Sequence, residues 1–414
     1  MFKKRVSIFA CAVISLLCCV VTFVAVYARS SVERDRAINS VRERFSQSGE
    51  EPAENSAGAE ADTSRYDKLK SIIDYADAHY LWDLDKDKMW EAIYTAALAS
   101  QGDPYTYYMT ADENISYWSP SGGLVGIGVR YAEDDSVDGI FVADVMERGA
   151  AYAAGIRRGD VIIAVDSVKA NGSNRDELVE AVRGEPGSEV KITVLREGKE
   201  LHFKATRAPL PGDSTYSIAL DAQTWLICIT TFSEENSAED MISEIETARS
   251  LGAKKLIFDL RGNPGGSLDE VLAALDYLLP EGDIVSYNDL SGKKQVERSD
   301  AAFLDMPMAI ICDGSTVSAA ELFTAAMKDY KAAVIVGETT FGKGIMQYVR
   351  TLKDGSAISV TTSYYYPPSG VNYHQKGVEP DHTVKETRPH GKDYYLDPIN
   401  NDDQVKKAYE LLNG

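Results

Sequence analysis

The stretch from Met308 to Gln347 constrains this chain more than any other part of it. It begins with the apolar run Met308 to Cys312, short enough for a buried strand. Asp313-Gly314 ends that run, and Ser315-Thr316-Val317-Ser318 leads into a segment with apolar residues at Leu322, Phe323, Ala326 and Met327, the spacing of one helix face. Ala332 to Val336 is a second buried strand, followed by a glycine-punctuated turn carrying Lys343 and then Gln347. Ser318 therefore falls at a helix N-terminus, where the dipole and free N–H groups favour developing negative charge. Lys343, between Gly342 and Gly344, follows a buried strand and can reach back to the same edge of the sheet.

A serine becomes a nucleophile only beside a base, and lysine serves when burial depresses its pKa. Ser–Lys is a known variant of the catalytic triad. Taken alone, the pair also fits a capping serine and a solvated lysine. The surrounding pattern reaches further and resembles the core of the carboxyl-terminal processing peptidases, or tail-specific proteases. In that family the nucleophile lies in a Ser/Ala-rich segment ending in Glu, here Ser315 to Glu321. The lysine lies in a Thr-Phe-Gly-Lys-Gly turn, here Thr340 to Gly344, and a glutamine follows, here Gln347. The resemblance runs from about Tyr66 to the C-terminus. It implies Ser318 as nucleophile, Lys343 as base and Gln347 as the residue that orients the base. It also implies a mixed α/β core of the crotonase-like type and no cofactor.

Other segments agree with crossover α/β packing. Trp225 to Ile229 and Leu256 to Leu260 are buried strands separated by a helix around Ala238 to Leu251. Asp259-Leu260-Arg261-Gly262-Asn263-Pro264-Gly265-Gly266 follows, and its glycines let backbone N–H groups face a ligand. A helix cap after a strand explains these residues equally well. The family resemblance instead implies an oxyanion donor at Gly265, with Gly266 as the alternative, beside the N–H of Ala319.

Residues 121–207 read as a separate unit. Gly122 to Val129 is a glycine-rich loop entering a strand, and strands at Ile140 to Val145 and Val161 to Val165 flank a short helical turn at Ala150 to Gly155. A helix over Asn174 to Arg183 and a hairpin across Arg196-Glu197-Gly198-Lys199 complete it. The loop and the run Ala154 to Ile162 resemble a PDZ domain. Converging N–H groups at Val125, Gly126, Ile127 and Gly128 would capture a terminal carboxylate, with the peptide added to a strand edge. Without that pattern the glycines would be read as a tight turn.

Ahead of this unit, Leu69, Ile72, Ile73, Ala76 and Tyr80 share one helix face, and Met89, Trp90, Ile93, Ala96 and Ala97 share another. This reads as a structural helical pair stopped by Gly102-Asp103-Pro104-Tyr105. At the N-terminus, Lys3-Lys4-Arg5 precedes an uncharged run from Ile8 to Ala28. As a helix that run spans about 31 Å, enough for a bilayer core. An uncleaved anchor is the favoured reading, with Val26-Tyr27-Ala28 as the alternative cleavage site. Either way the basic end stays inside and the rest is exported. The expected organisation is anchor 1–29, flexible linker 30–65, helical region 66–118, PDZ domain 119–208, protease core 209–390 and C-terminal helix 391–414.

A net charge of −21 without a basic stripe argues against nucleic acid and anionic membrane surfaces. Cys228 and Cys312 sit in expected strands and read as buried thiols. No Cys/His cluster has metal spacing, so no metal is expected. Gly337 to Gly344 nearly spells a phosphate-binding loop, but Gly344 stands where Ser or Thr would hold Mg²⁺, and an extended segment follows. Two rival readings stay open: a Ser–His hydrolase using His374, and an inactive PDZ adaptor. The favoured reading is an exported, membrane-anchored serine endopeptidase acting near protein C-termini. Its partners would be proteins or peptides with exposed tails, and a homodimer fits the family.

Overall fold

Alternate residues of the strand Thr224–Ile229 face opposite sides of one sheet, and both sides are covered. Ile227 and Ile229 pack under the helices Ser237–Ser250, Leu268–Leu278 and Ala319–Asp329. Leu226 and Cys228 pack on the other side with Val405 and Ala408 of the helix Asp403–Asn413. Burial on both faces explains why Lys255–Asp259, Met308–Cys312 and Ala333–Gly337 are near-continuous apolar runs. With Thr224–Ile229 they form a parallel array, extended by an antiparallel strand, Thr215–Ala219, at one edge and the parallel pair His382–Thr383 at the other.

These coordinates come from a computed structural model that describes residues 63–117, 125–132, 134–146, 149–210, 214–233, 236–386 and 391–414. The expected anchor and most of the following linker lie outside the described residues. None of the described helices is long and apolar enough to cross a membrane.

The second sheet of the core is antiparallel, in the order Tyr107–Met109, Ala357–Tyr366, Gly282–Asn288, Lys294–Ser299, with Ile345–Thr351 also on Ala357–Tyr366. Its membership corrects one expectation. The helical region does not end as a separate pair, because its last residues supply a strand, and Tyr107 to Met109 pair with Ser359 to Ala357. Both ends of the passage from the PDZ-like unit to the first sheet are fixed. Arg207 is buried and its guanidinium donates to the carbonyls of Ala181 and Val182, while Thr215 to Ser217 pair with Ile229 to Ile227.

The PDZ-like unit is built around Ile127, Ile140, Val142, Ile162, Leu178 and Val190. Its main sheet runs Val129–Ala132, Ile140–Val145, Val161–Val165, Glu189–Arg196, Lys199–Thr206, so among the described residues the first of these strands has a free edge within the sheet. The expected hairpin forms through Glu197 and Gly198, both at positive φ, as a turn matched to strand twist requires. The unit leans on the C-terminal segment, with Phe141 against Tyr395 and Lys392 N–H donating to Asp134.

Cys228 and Cys312 are buried free thiols, and burial pushes Cys312 up to about 12. Beneath the sheet, Arg261 is held by Asp259 at 2.5 Å and Asp402 at 2.7 Å, all three nearly inaccessible. Asp402 also caps the last helix through Gln404 N and Val405 N. This clamp ties the C-terminal helix to the loop after Lys255–Asp259. Arg261→Ala would leave two buried carboxylates uncompensated and is expected to cost about 3–5 kcal/mol. Urea unfolding and amide exchange across residues 403–413 measure it; wild-type exchange in that helix would contradict the clamp.

Candidate active site

Ser318 is the N-cap of the helix Ala319–Asp329, with φ 58° and ψ −116°. A side chain at positive φ costs about 1–3 kcal/mol unless the surroundings enforce it. The same strained strand-to-helix turn lifts the nucleophile of α/β-hydrolases clear of the sheet. Here it forms without the G-x-S-x-G sequence that usually announces it.

Glu321, fully buried in the first turn of this helix, is what enforces the strain. Its Oε2 accepts from the N–H of Ser318 at 2.9 Å and from the N–H of Lys343 at 2.7 Å. Its Oε1 accepts from Gly342 N at 2.6 Å and Thr340 Oγ1 at 2.5 Å. One carboxylate oxygen thus joins Ser318 and Lys343, which the strand Ala333–Gly337 separates in the chain. A second tie lies below. Tyr365 donates to the carbonyl of Lys343 at 2.7 Å and accepts from Tyr373 at 2.9 Å, and Tyr373 lies 3.4 Å from the Ser318 carbonyl. Burial pushes both phenols up, so they stay protonated donors.

Gly265 closes the other side. A Cβ there would stand 2.6 Å from Val317 O and 2.8 Å from both Ala319 N and Ser318 Cβ, so only glycine lets the loop lie against the Ser318 turn. The Lys343 side chain is half-buried, and desolvation lowers its pKa against the pull of Glu321 and Asp103. Its amine lies 4.6 Å from the centre of the Tyr105 ring and makes no hydrogen bond to Ser318 among the described residues.

The segments that carry these residues match known proteins. The model of peptidase family S41 matches residues 224–384, and the PDZ domain model matches residues 118–195. The chain is 31% identical over 339 residues to the carboxy-terminal processing protease CtpA of Bacillus subtilis strain 168, covering 81% of this chain and 72% of that protein.

The chain belongs to peptidase family S41.

It is also 32% identical over 328 residues to a probable CtpA-like serine protease of Staphylococcus aureus strain COL, covering 78% of this chain but 65% of that relative's length. In fold it is similar to a putative S41 protease from Bacteroides fragilis NCTC 9343, with a TM-score of 0.53 at 16% identity over 83% of this chain and 97% of the other.

Within the S41 region, two expected roles meet a different geometry. Gln347 Nε2 donates to Thr361 Oγ1 at 3.1 Å and not to Lys343, where an irregularity in strand pairing falls between Met346 and Gln347. The N–H of Gly265 donates to Asn263 Oδ1 at 2.8 Å. The N–H groups of Gly266 and Ala319 have no acceptor among the described residues. His374 is near the site, as expected, with Nδ1 buried and without a hydrogen-bond partner among the described residues, and its ring edge-on to Tyr364. In the PDZ domain, Val125 and Gly126 pair with Pro209 and Ala208, while the Ile127 and Gly128 N–H groups have no acceptor among the described residues.

Sequence reasoning overlooked Glu321 as a hub and the Tyr365–Tyr373 pair. In the run Tyr364-Tyr365-Tyr366, alternation along the strand buries the middle residue beside the site and leaves its neighbours exposed. Glu321→Ala would strip three N–H groups and a hydroxyl of their acceptor. Loss of at least about 3 kcal/mol in unfolding is expected, together with new protease sensitivity in residues 338–344. A wild-type unfolding midpoint would remove Glu321 from its central place.

Proposed function

We propose that this chain is a membrane-anchored serine endopeptidase with its catalytic part on the extracytoplasmic side, cutting proteins near their C-termini. The observation that carries the reading is the shared acceptor: Ser318 and Lys343 hang by their N–H groups from the same oxygen of Glu321. Neutral Lys343 takes the proton from Ser318 Oγ as that oxygen bonds to the scissile carbonyl carbon, and the carbonyl electrons move onto its oxygen. Collapse expels the amine, which receives the proton from Lys343, and water then cleaves the acyl-serine by the reverse proton path. Ala319 N–H and Gly266 N–H hold the oxyanion, each worth about 3–4 kcal/mol. Gly266 replaces Gly265 in this role because its N–H is uncommitted. Gln347 helps order the base through Thr361.

Substrate selection belongs to the PDZ domain. The N–H groups of Ile127 and Gly128 receive the terminal carboxylate, and the tail extends the free edge of Val129–Ala132. The net charge of −21 supports protein tails over nucleic acid. The basic, apolar N-terminus supports the anchor.

Three variants separate the lysine mechanism from its rivals. Ser318→Ala and Lys343→Ala are expected to lower peptide cleavage by at least about 10³-fold with folding intact, whereas His374→Ala keeps most of it. Because burial lowers the Lys343 pKa and the base must be neutral, kcat/KM rises with pH through a limb below the ordinary lysine value of about 10.4. Cleavage by Lys343→Ala but not by His374→Ala would hand the base to histidine; full inactivity of the unaltered protein would favour the adaptor.

Tail recognition has its own test. On Ser318→Ala protein, a fluorescent peptide ending in a free carboxylate should bind at least about tenfold more tightly than its C-terminal amide. Equal affinities would refute carboxylate capture.

A further inference from the structure

The turn Asp103-Pro104-Tyr105-Thr106 ends the N-terminal helical region, far in sequence from the catalytic segment, yet it lies against Lys343. Nothing about it is loose. Asp103 accepts from Tyr105 N at 2.9 Å and from Thr106 Oγ1 at 2.7 Å. Ser359 Oγ donates to the Tyr105 carbonyl at 3.1 Å, and Thr361 N donates to Thr106 Oγ1 at 3.0 Å. The next residues join the sheet through Tyr107–Met109. The turn is therefore stitched to the strand Ala357–Tyr366, which also carries Thr361, the partner of Gln347, and Tyr365, the partner of the Lys343 carbonyl.

Against this fixed surface the Lys343 amine lies over the Tyr105 ring, 4.6 Å from its centre, within the range at which a cation is drawn to an aromatic face. The lysine side chain is long and carries roughly 2 kcal/mol of rotamer freedom. A base that must meet Ser318 in one geometry gains from a seat that limits where its amine rests. An aromatic face suits the purpose: it keeps water from one side of the amine and still attracts the ammonium form. We propose that Tyr105, backed by Asp103, is a positioning residue for the base, the seat from which the Lys343 amine swings onto Ser318. The proposal rests on the Ser–Lys reading and names the part of the chain that prepares the lysine.

The groups acting on this amine are Glu321 from the helix Ala319–Asp329 and Asp103 and Tyr105 from the turn, with His374 close enough to act on Asp103; Tyr365 from the strand meets the Lys343 carbonyl instead. Burial pushes the Asp103 carboxyl up, but hydrogen bonds from Thr361, Tyr105 and Thr106 bring it below its ordinary value, so it stays charged. Both the ring and this carboxylate favour protonated Lys343. Removing either one therefore moves the lysine titration to lower pH.

The test follows the amine directly. In the full chain carrying Ser318→Ala, reductive methylation of Lys343 is followed by mass spectrometry across pH, with Tyr105→Phe, Tyr105→Leu and Asp103→Asn added in turn. Leucine and asparagine should move the half-labelling pH down by about half to one unit, while phenylalanine, which keeps the ring, stays near the parent. In otherwise unaltered protein, Tyr105→Leu should lower kcat about tenfold with little change in KM and shift the acidic limb by the same amount, and Tyr105→Phe should recover most of the rate. Identical labelling in the leucine and parent proteins, or phenylalanine as poor as leucine, overturns the seat. If Tyr105→Leu does not fold, labelling of Asp103→Asn decides: a downward shift supports the proposal and none overturns it. Unimpaired cleavage by Lys343→Ala would instead defeat the Ser–Lys reading and leave the labelling result to judge the seat alone.

Discussion

The buried carboxylate of Glu321 is the constraint on which the active site rests. A carboxylate far from water is costly unless its oxygens are filled, and among the described residues no salt bridge fills them. Four donors take that role, three of them backbone N–H groups, and they come from the Ser318 turn and the Lys343 loop. The desolvation cost makes the arrangement specific, because any shift of either segment leaves charge or donors unpaired inside the protein. The strained backbone of Ser318 is tolerable for the same reason.

Around this hub the protein assembles pieces that lie far apart in the chain. The glycine loop after Lys255–Asp259 lies against Ser318 because a missing Cβ permits it. Tyr365 and Tyr373 brace both residues from below, and the strand that carries Tyr365 also binds the turn at Tyr105. On the far side of the sheet, Arg261 uses the same glycine loop to hold the C-terminal helix. One short loop thus connects the catalytic face to the segment on which the PDZ domain leans.

Much of this was legible in the linear chain. The strand Met308–Cys312 appeared at its predicted residues, and the helix from Ala319 and the PDZ hairpin nearly so, because each carries its own periodicity and turn chemistry. Ser318, Lys343 and the glycines stood out because their neighbours form a dense motif. The partner of Gln347 was not legible, since a local irregularity in pairing determines where that side chain points. Nor was the place of Tyr105, whose segment read as the end of a helical pair. Between Gly266 and Met308 the structure adds a helix and a hairpin, Gly282–Asn288 with Lys294–Ser299, whose exposed faces blur the apolar pattern.

Local order along this polypeptide follows from short-range rules: which residues are apolar, how they are spaced, and where glycine or a capping side chain interrupts them. Those rules sufficed for the α/β alternation and the PDZ pattern, while the family resemblance singled out Ser318 and Lys343 as candidates. They were silent on which distant segments would meet. That depended on sheet order and on satisfying one charge in the dry interior, both of which arise only when the whole chain closes on itself.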